Sequence, residues 1–364
     1  MATENETRSR GRGIVMALLT MAVATGLAVV AVEVALRIAD YPPAGFSPWV
    51  LDRDTGMALA PNLDQRMVRA EFDVPFRTNS LGLRDDEVGP KQRPRILLIG
   101  DSFTVGYGVP RAETYGDRLE KGLGVEVVNA AVGGFDLINQ VHYMRAKGAA
   151  LEPDLVVFGL YLGNDLTGNF LYRWEEGRGL VPEKDYPVRV PNRIHLLELL
   201  RNYRYSRRAT QADRREWQPY VDYLRMLERA PGEAAAHYDI SRELLTRLKG
   251  EVAATGAQLL VVMFPYRTVV EAEAAKAFKA TLPGFDTVYD LDRPRREMAA
   301  HLSAIGVDHL DLTEALRRAD RERDRGSPLY YPYDGHFTRD GHRVVAEAVL
   351  PRVRALLAPP GDGG

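Results

Sequence analysis

Ser102 sits in the run Ile96-Leu97-Leu98-Ile99-Gly100-Asp101-Ser102-Phe103. Near the other end of the chain stand Asp334 and His336, in Asp334-Gly335-His336-Phe337-Thr338. A serine hydroxyl is a poor nucleophile until a neighbouring base takes its proton. His336 is of the right type to be that base, and Asp334 to hold the imidazole in one tautomer and stabilise its charged form. The chemistry implied is acyl transfer through a serine ester. Such chemistry needs hydrogen-bond donors fixed in advance for the developing oxyanion. The Ser102 amide, a glycine amide at Gly134 in Asn129-Ala130-Ala131-Val132-Gly133-Gly134, and the Asn164 side-chain amide in Tyr161-Leu162-Gly163-Asn164-Asp165 supply three. Asp101 reads as a residue that orients its loop and does not react.

Other residue types narrow the chemistry. Asp340-Gly341-His342 repeats the Asp-Gly-His triplet six residues on. His342 falls inside the last helical pattern and reads as a packing residue. His142, His195, His237, His301 and His309 lack comparable neighbours and read as structural. The chain has no cysteine, which excludes disulfides and thiolate sites. It has no zinc-type His/Glu spacing and no phosphate loop, so no metal, nucleotide or other cofactor is expected. A net charge of −2 over 364 residues gives no electrostatic reason to expect nucleic acid.

These residues need a frame that brings chain positions 102 and 336 together. Continuously apolar runs at 96–99, 155–160 and 259–264, with the stretches 125–128 and 307–312, read as strands. Helical patterns near 112–121, 137–149, 240–254 and 294–304 separate them, and a last helix runs from about 338 to 356 with Thr338 as its N-cap. Apolar strands alternating with helices predict a three-layer α/β/α sandwich of about five mostly parallel strands. The catalytic domain is expected over 95–358. A stretch at 167–238 interrupts the rhythm and reads as a helical insertion. Within it, the arginine-rich run 201–208 reads as a solvated helix face, with contact to anionic glycan or lipid headgroups as the alternative. Residues 359–364 read as a flexible tail.

Arg8, Arg10 and Arg12 precede an uncharged run from 13 to 32. That is about the ~20 residues a helix needs to cross the hydrocarbon core. The reading is a cytoplasmic N-terminus at 1–12 and a retained transmembrane anchor at 13–36, with the rest outside the cytoplasm. A cleaved signal peptide is the alternative. Residues 37–94 read as a juxtamembrane segment with an ordered turn near 76–84.

The four blocks together resemble the SGNH/GDSL hydrolase family. The family's first block looks like Gly100-Asp101-Ser102-Phe103, its second-block glycine falls on Gly134, and its third block on Gly163-Asn164-Asp165. The last block is usually Asp-x-x-His; here it is the shorter Asp334-x-His336. That form resembles a bacterial branch acting on cell-surface polymers, which includes polysaccharide O-acetyltransferases. Thr78-Asn79-Ser80-Leu81-Gly82-Leu83-Arg84 also looks like a lead-in of that branch, with no chemical role assigned to it. The resemblance implies a catalytic triad of Ser102, Asp334 and His336 with an oxyanion hole from Ser102, Gly134 and Asn164. The function it implies is a serine esterase that removes acyl groups, most simply acetyl, from an envelope glycan or related ester. A transferase using the same triad, or a non-catalytic envelope scaffold, are the alternatives.

Overall fold

The computed structural model describes residues 2–39, 46, 48–170, 172–175, 179–182, 194–197, 199–200, 221–230, 232, 234–323 and 326–358. The chain divides into two units, one of residues 1–47 with 189–217 and one of 48–188 with 218–364.

The larger unit holds a five-stranded sheet of β5 (Arg95–Gly100), β6 (Glu126–Asn129), β7 (Leu155–Tyr161), β10 (Gln258–Phe264) and β11 (Asp308–Asp311), in the order β11-β10-β7-β5-β6. Every neighbouring pair is parallel. Successive side chains of a strand point to opposite faces. Ile96, Leu97, Leu98 and Ile99 are all fully buried, so both faces of β5 are covered. That is why β5 reads as an unbroken apolar run. One face packs under α3 (Tyr115–Leu123), the helix Thr313–Glu322 and the last helix, Arg339–Leu357. Over the other lie α4 (Leu137–Ala146) and the helices Ala234–Ala253 and Arg293–Ala304. The architecture is the expected three-layer α/β/α sandwich. Thr338 caps the last helix, its Oγ1 accepting from the Gly341 amide.

The strand order sets where a ligand can sit. From β5 the chain steps outward to the edge strand β6, then crosses back to β7 on the other side of β5. At such a reversal the connections leave the carboxyl ends of two adjacent strands in opposite directions, and a crevice opens between them. Ser102 follows β5 and Asn164 follows β7, the two strands that flank this crevice.

Between residues 48 and 94 the structure shows more order than a single turn. β1 (Trp49–Asp52) pairs antiparallel with β2 (Gly56–Leu59), and β3 (Asp64–Val68) with β4 (Asp73–Arg77). The β4 pattern is period-two, with Val74 and Phe76 buried between exposed Asp73, Pro75 and Arg77. The first hairpin is tied to the domain by Asn139 Nδ2 donating to the Thr55 carbonyl at 2.8 Å and by a Lys147–Asp52 ion pair at 2.5 Å. The stretch 167–238, where the sequence predicts a helical insertion, contains an antiparallel hairpin of β8 (Tyr172–Glu175) and β9 (Gly179–Pro182) as well as the helix Val221–Leu227. The arginine-rich run 201–208 and the tail 359–364 lie outside the described residues.

In the smaller unit, α1 covers Ala2–Ile38. Its stretch Val15–Ile38 is 24 residues long with mean hydropathy 2.4, long and apolar enough to cross a membrane. Glu33, its one acidic residue, pairs with Arg37 at 2.8 Å and accepts hydrogen bonds from the amides of His195 and Leu196.

Candidate active site

The turn carrying Ser102 begins where β5 and β7 come close. Gly100 pairs with Gly159 across the sheet, and Thr104 sits down onto both. A Cβ at Gly100 would lie 2.3 Å from Thr104 Oγ1, and one at Gly159 2.2 Å from the same atom. The two glycines therefore let the short helix α2 (Ser102–Val105) dock directly on the strand ends. Asp101 Oδ1 accepts from the Phe103 amide at 2.9 Å and fixes the turn. The Tyr115 hydroxyl reaches Thr104 Oγ1 at 3.2 Å, and Asn129 Nδ2 donates to the Thr104 carbonyl at 3.1 Å.

The sequence lead-in supplies the rest of the support. The buried Arg84 guanidinium donates to the carbonyls of Val105, Gly106, Val109 and Pro75, at 2.9, 2.5, 2.7 and 3.3 Å. It also lies 4.5 Å from the centre of the Phe76 ring. Asn79 holds the approach to Arg84 by accepting from the Leu81 and Leu83 amides. The block 78–84 thus grips the carboxyl end of α2. Its signal was present in the sequence, but no local rule says where a lone buried arginine finds its carbonyls.

His336 arrives from the opposite end of the chain. Its Nε2 lies 2.7 Å from Ser102 Oγ, and its Nδ1 2.5 Å from Asp334 Oδ1. Ser102 Oγ is also 3.4 Å from Asp101 Oδ2, but the shorter contact to His336 is the stronger by distance. Asp334 and His336 can share one side of the turn because Gly335 between them takes φ +86°. The imidazole is held between Phe103, 4.8 Å away centre to centre, and Tyr107, 4.6 Å away. The structure therefore brings Ser102, Asp334 and His336 into one hydrogen-bonded line.

His342 is placed elsewhere. It is fully buried, and its Nδ1 accepts from the Tyr115 amide at 3.3 Å. Burial, reinforced by the positive charge of Arg84, pushes its pKa down to about 3, so it is a neutral core residue.

Two loops face the serine. Gly133 packs against Ser102, an ideal Cβ there lying 3.6 Å from the serine Cβ, while Trp49 Nε1 donates to the Gly133 carbonyl at 2.7 Å. Gly134 follows at φ +90°. Among the described residues, neither the Ser102 nor the Gly134 amide donates a hydrogen bond within the chain. After β7, Asp165 Oδ2 accepts from the Tyr161 amide at 2.8 Å and shapes the turn that carries Asn164. Tyr161 in turn stacks on Phe103 at 3.9 Å. Sequence reasoning missed Trp49 and Tyr107. Both touch the site only through the folded chain, and neither stands in a spacing that marks it.

Three buried acids lie around this turn. Burial pushes Asp101 up to about 6, against the Phe103 amide, which lowers it. It pushes Asp136 and Asp165 well above the usual carboxylate range, each raised further by the charge of Asp101. Both therefore hold a proton more readily than a free carboxyl.

Comparison with known proteins bears on the second half of this site. Residues 223–363 match a family model described as an SGNH hydrolase-like domain, acetyltransferase AlgX. The matched segment contains Asp334 and His336. No curated protein sequence matches the chain. Among solved structures, TesA shares 16% identity over 72% of this chain and 99% of its own, with a TM-score of 0.39. A lipase/acylhydrolase from Enterococcus faecalis shares 13% over 73% and 98%, with a TM-score of 0.41. A catalytic mutant of the acetylxylan esterase Axe2 from Geobacillus stearothermophilus shares 14% over 73% and 96%, also at 0.41. Likenesses of that size bear on neither chemistry nor substrate. The match over residues 223–363 and the five-stranded parallel sheet agree with the resemblance of the four blocks to the SGNH/GDSL hydrolase family.

Proposed function

We propose that this protein is a serine esterase that removes acyl groups, most simply acetyl, from an ester of the cell envelope. The observation that carries this reading is the hydrogen-bonded line Asp334–His336–Ser102, with distances of 2.5 and 2.7 Å. In the reaction, Ser102 Oγ attacks the ester carbonyl carbon while His336 Nε2 takes its proton. Asp334 stabilises the imidazolium that forms. The negative charge on the carbonyl oxygen is met by the Ser102 and Gly134 amides and by Asn164. The tetrahedral adduct collapses, the carbon–oxygen bond to the alcohol breaks, and His336 returns its proton to the leaving oxygen. Water then attacks the Ser102 ester by the same route, releasing the acid and restoring the hydroxyl.

The anchor reading extends this. We assign Val15–Ile38 as a membrane anchor, with the arginines at 8, 10 and 12 on the cytoplasmic side and the catalytic domain at 95–358 outside. Protease added to intact cells should then cut the catalytic domain free and spare the N-terminus.

The decisive experiment is turnover of an aryl acetate by the purified chain. Ser102-dependent release of acetate is expected, and full activity in Ser102→Ala would end the proposal. A second reading is favoured by the matched family's description as an acetyltransferase. In it, a sugar hydroxyl replaces water in the second step. Supplying a deacetylated glycan as acceptor separates the two, since a transferase would give acetylated glycan in place of free acetate.

A further inference from the structure

We infer that Glu71, at the tip of the β3–β4 hairpin, is a positioning residue that fixes the turn carrying Asp334 and His336. This rests on the catalytic reading of those two residues. The Arg69 amide donates to the Phe72 carbonyl at 2.8 Å, closing a tight turn with Glu71 inside it. The Glu71 carboxylate leaves its own hairpin and caps backbone amides 262 and 263 positions away. Both its oxygens lie 3.1 Å from the Tyr333 amide, and Oε2 accepts from the Asp334 amide at 2.6 Å. A carboxylate accepting amide hydrogens makes a shorter and stronger bond than a neutral acceptor does.

The same hairpin tip holds the site from a second side. The Phe72 ring packs edge-on against Tyr107 at 5.7 Å and against Tyr331 at 5.0 Å. Tyr107 is the ring that stacks on His336, and the Tyr331 hydroxyl donates to the Gly108 carbonyl at 2.9 Å. The hairpin is itself anchored. Met67 is fully buried, its sulfur accepting from the Gly108 amide at 3.3 Å, and Arg84 donates to the Pro75 carbonyl.

The base turn has other ties, Arg267 Nη1 donating to the Pro332 carbonyl at 2.5 Å and the Tyr331 hydroxyl to the Gly108 carbonyl, but both fall before Tyr333. Tyr333 is 72% exposed, so packing does not fix it. Its internal bonds are from the Gly335 amide to the Tyr331 carbonyl and from the Tyr331 amide to the His336 carbonyl. These close the loop on itself but do not set it against Ser102. Glu71 ties the turn to an element outside it, two residues before the base. A displacement of about 1 Å at a catalytic group can cost up to ~10²-fold in rate.

The test compares Glu71→Ala with Glu71→Gln. The glutamine keeps an oxygen that can accept the two amides, and the alanine keeps none. For aryl acetate hydrolysis, Glu71→Ala should lose about 10- to 100-fold in kcat with KM within about twofold of the parent. Glu71→Gln should recover most of that loss. Hydrogen exchange at the Tyr333 and Asp334 amides should speed at least about tenfold in Glu71→Ala and stay slow in Glu71→Gln. A folded Glu71→Ala with parental kcat, or a glutamine variant as impaired as the alanine, overturns the inference. If the parent hydrolyses no ester, the catalytic reading fails. Exchange at the two amides then still decides whether Glu71 clamps the turn.

Discussion

His336 Nε2 lies 2.7 Å from Ser102 Oγ although 234 residues separate the two along the chain. The neighbouring His342 is buried in the core against Tyr115, its Nδ1 accepting a backbone amide. The two histidines should therefore fail differently. His336→Ala should lose on the order of 10⁴-fold or more in ester turnover with little change in unfolding midpoint. His342→Ala should lose stability and keep most of its turnover per folded molecule. Urea unfolding and aryl acetate kinetics on the same samples check both.

Stability should depend on pH through His342. Its folded pKa is about 3, below the 6.5 of the free group, so the unfolded chain binds the extra proton between those values. The stability gained by keeping it neutral is fully present above pH 6.5 and drains away as pH falls toward 3. Between pH 7 and pH 5 this one group should cost the parent roughly 2 kcal/mol. His342→Gln can still accept the Tyr115 amide but cannot take up the proton. Its stability should fall less over the same interval. Equal slopes for parent and variant would contradict the assignment.

Arg84 offers a test of the support beneath the Ser102 helix. Replacing it with methionine leaves the carbonyls of Val105, Gly106, Val109 and Pro75 without this donor in a closed interior. A loss of about 3–5 kcal/mol in unfolding free energy is expected. Lysine should not rescue it, because a single ammonium cannot reach carbonyls spread around a planar fork. Burial, with the nearby charge of Arg111, lowers the Arg84 pKa to about 9.

Asn164 should act on rate more than on binding. Asn164→Ala should slow acylation of Ser102 by roughly 10²- to 10³-fold, or about 3–4 kcal/mol of transition-state stabilisation. Single-turnover acylation measures this directly. A parental rate would remove Asn164 from the oxyanion site.

Much of the sheet was legible because burial on both faces leaves a plain mark. The runs at 96–99, 155–160 and 259–264 fall inside β5, β7 and β10. The N-cap at Thr338 was legible from its type and place. The helix Thr313–Glu322 was not, because Thr313 and Leu316 are its only buried residues and its other positions are polar or small. The first two hairpins escaped because each strand has four or five residues, too few for a period to stand out. For the site, the three side chains that meet were named by spacing and type. The groups that hold them were not. Trp49 meets Gly133 across 84 residues, and Glu71 meets Asp334 across 263. Contacts so distant leave no trace in a local pattern.

The order of those parts along the chain has a consequence for biogenesis. Ser102, Arg84 and both framing hairpins are synthesised before His336, Ser102 by 234 residues. The last helix, Arg339–Leu357, then covers β5 and α3 with Val345, Val349 and Val353. Domains fold as their segments emerge, N-terminal parts first. A partly made chain would therefore carry Ser102 without its His336 partner and one uncovered face of its sheet. His336 and the covering helix come within about twenty residues of each other, so the Ser102–His336 contact and closure of the core are completed together.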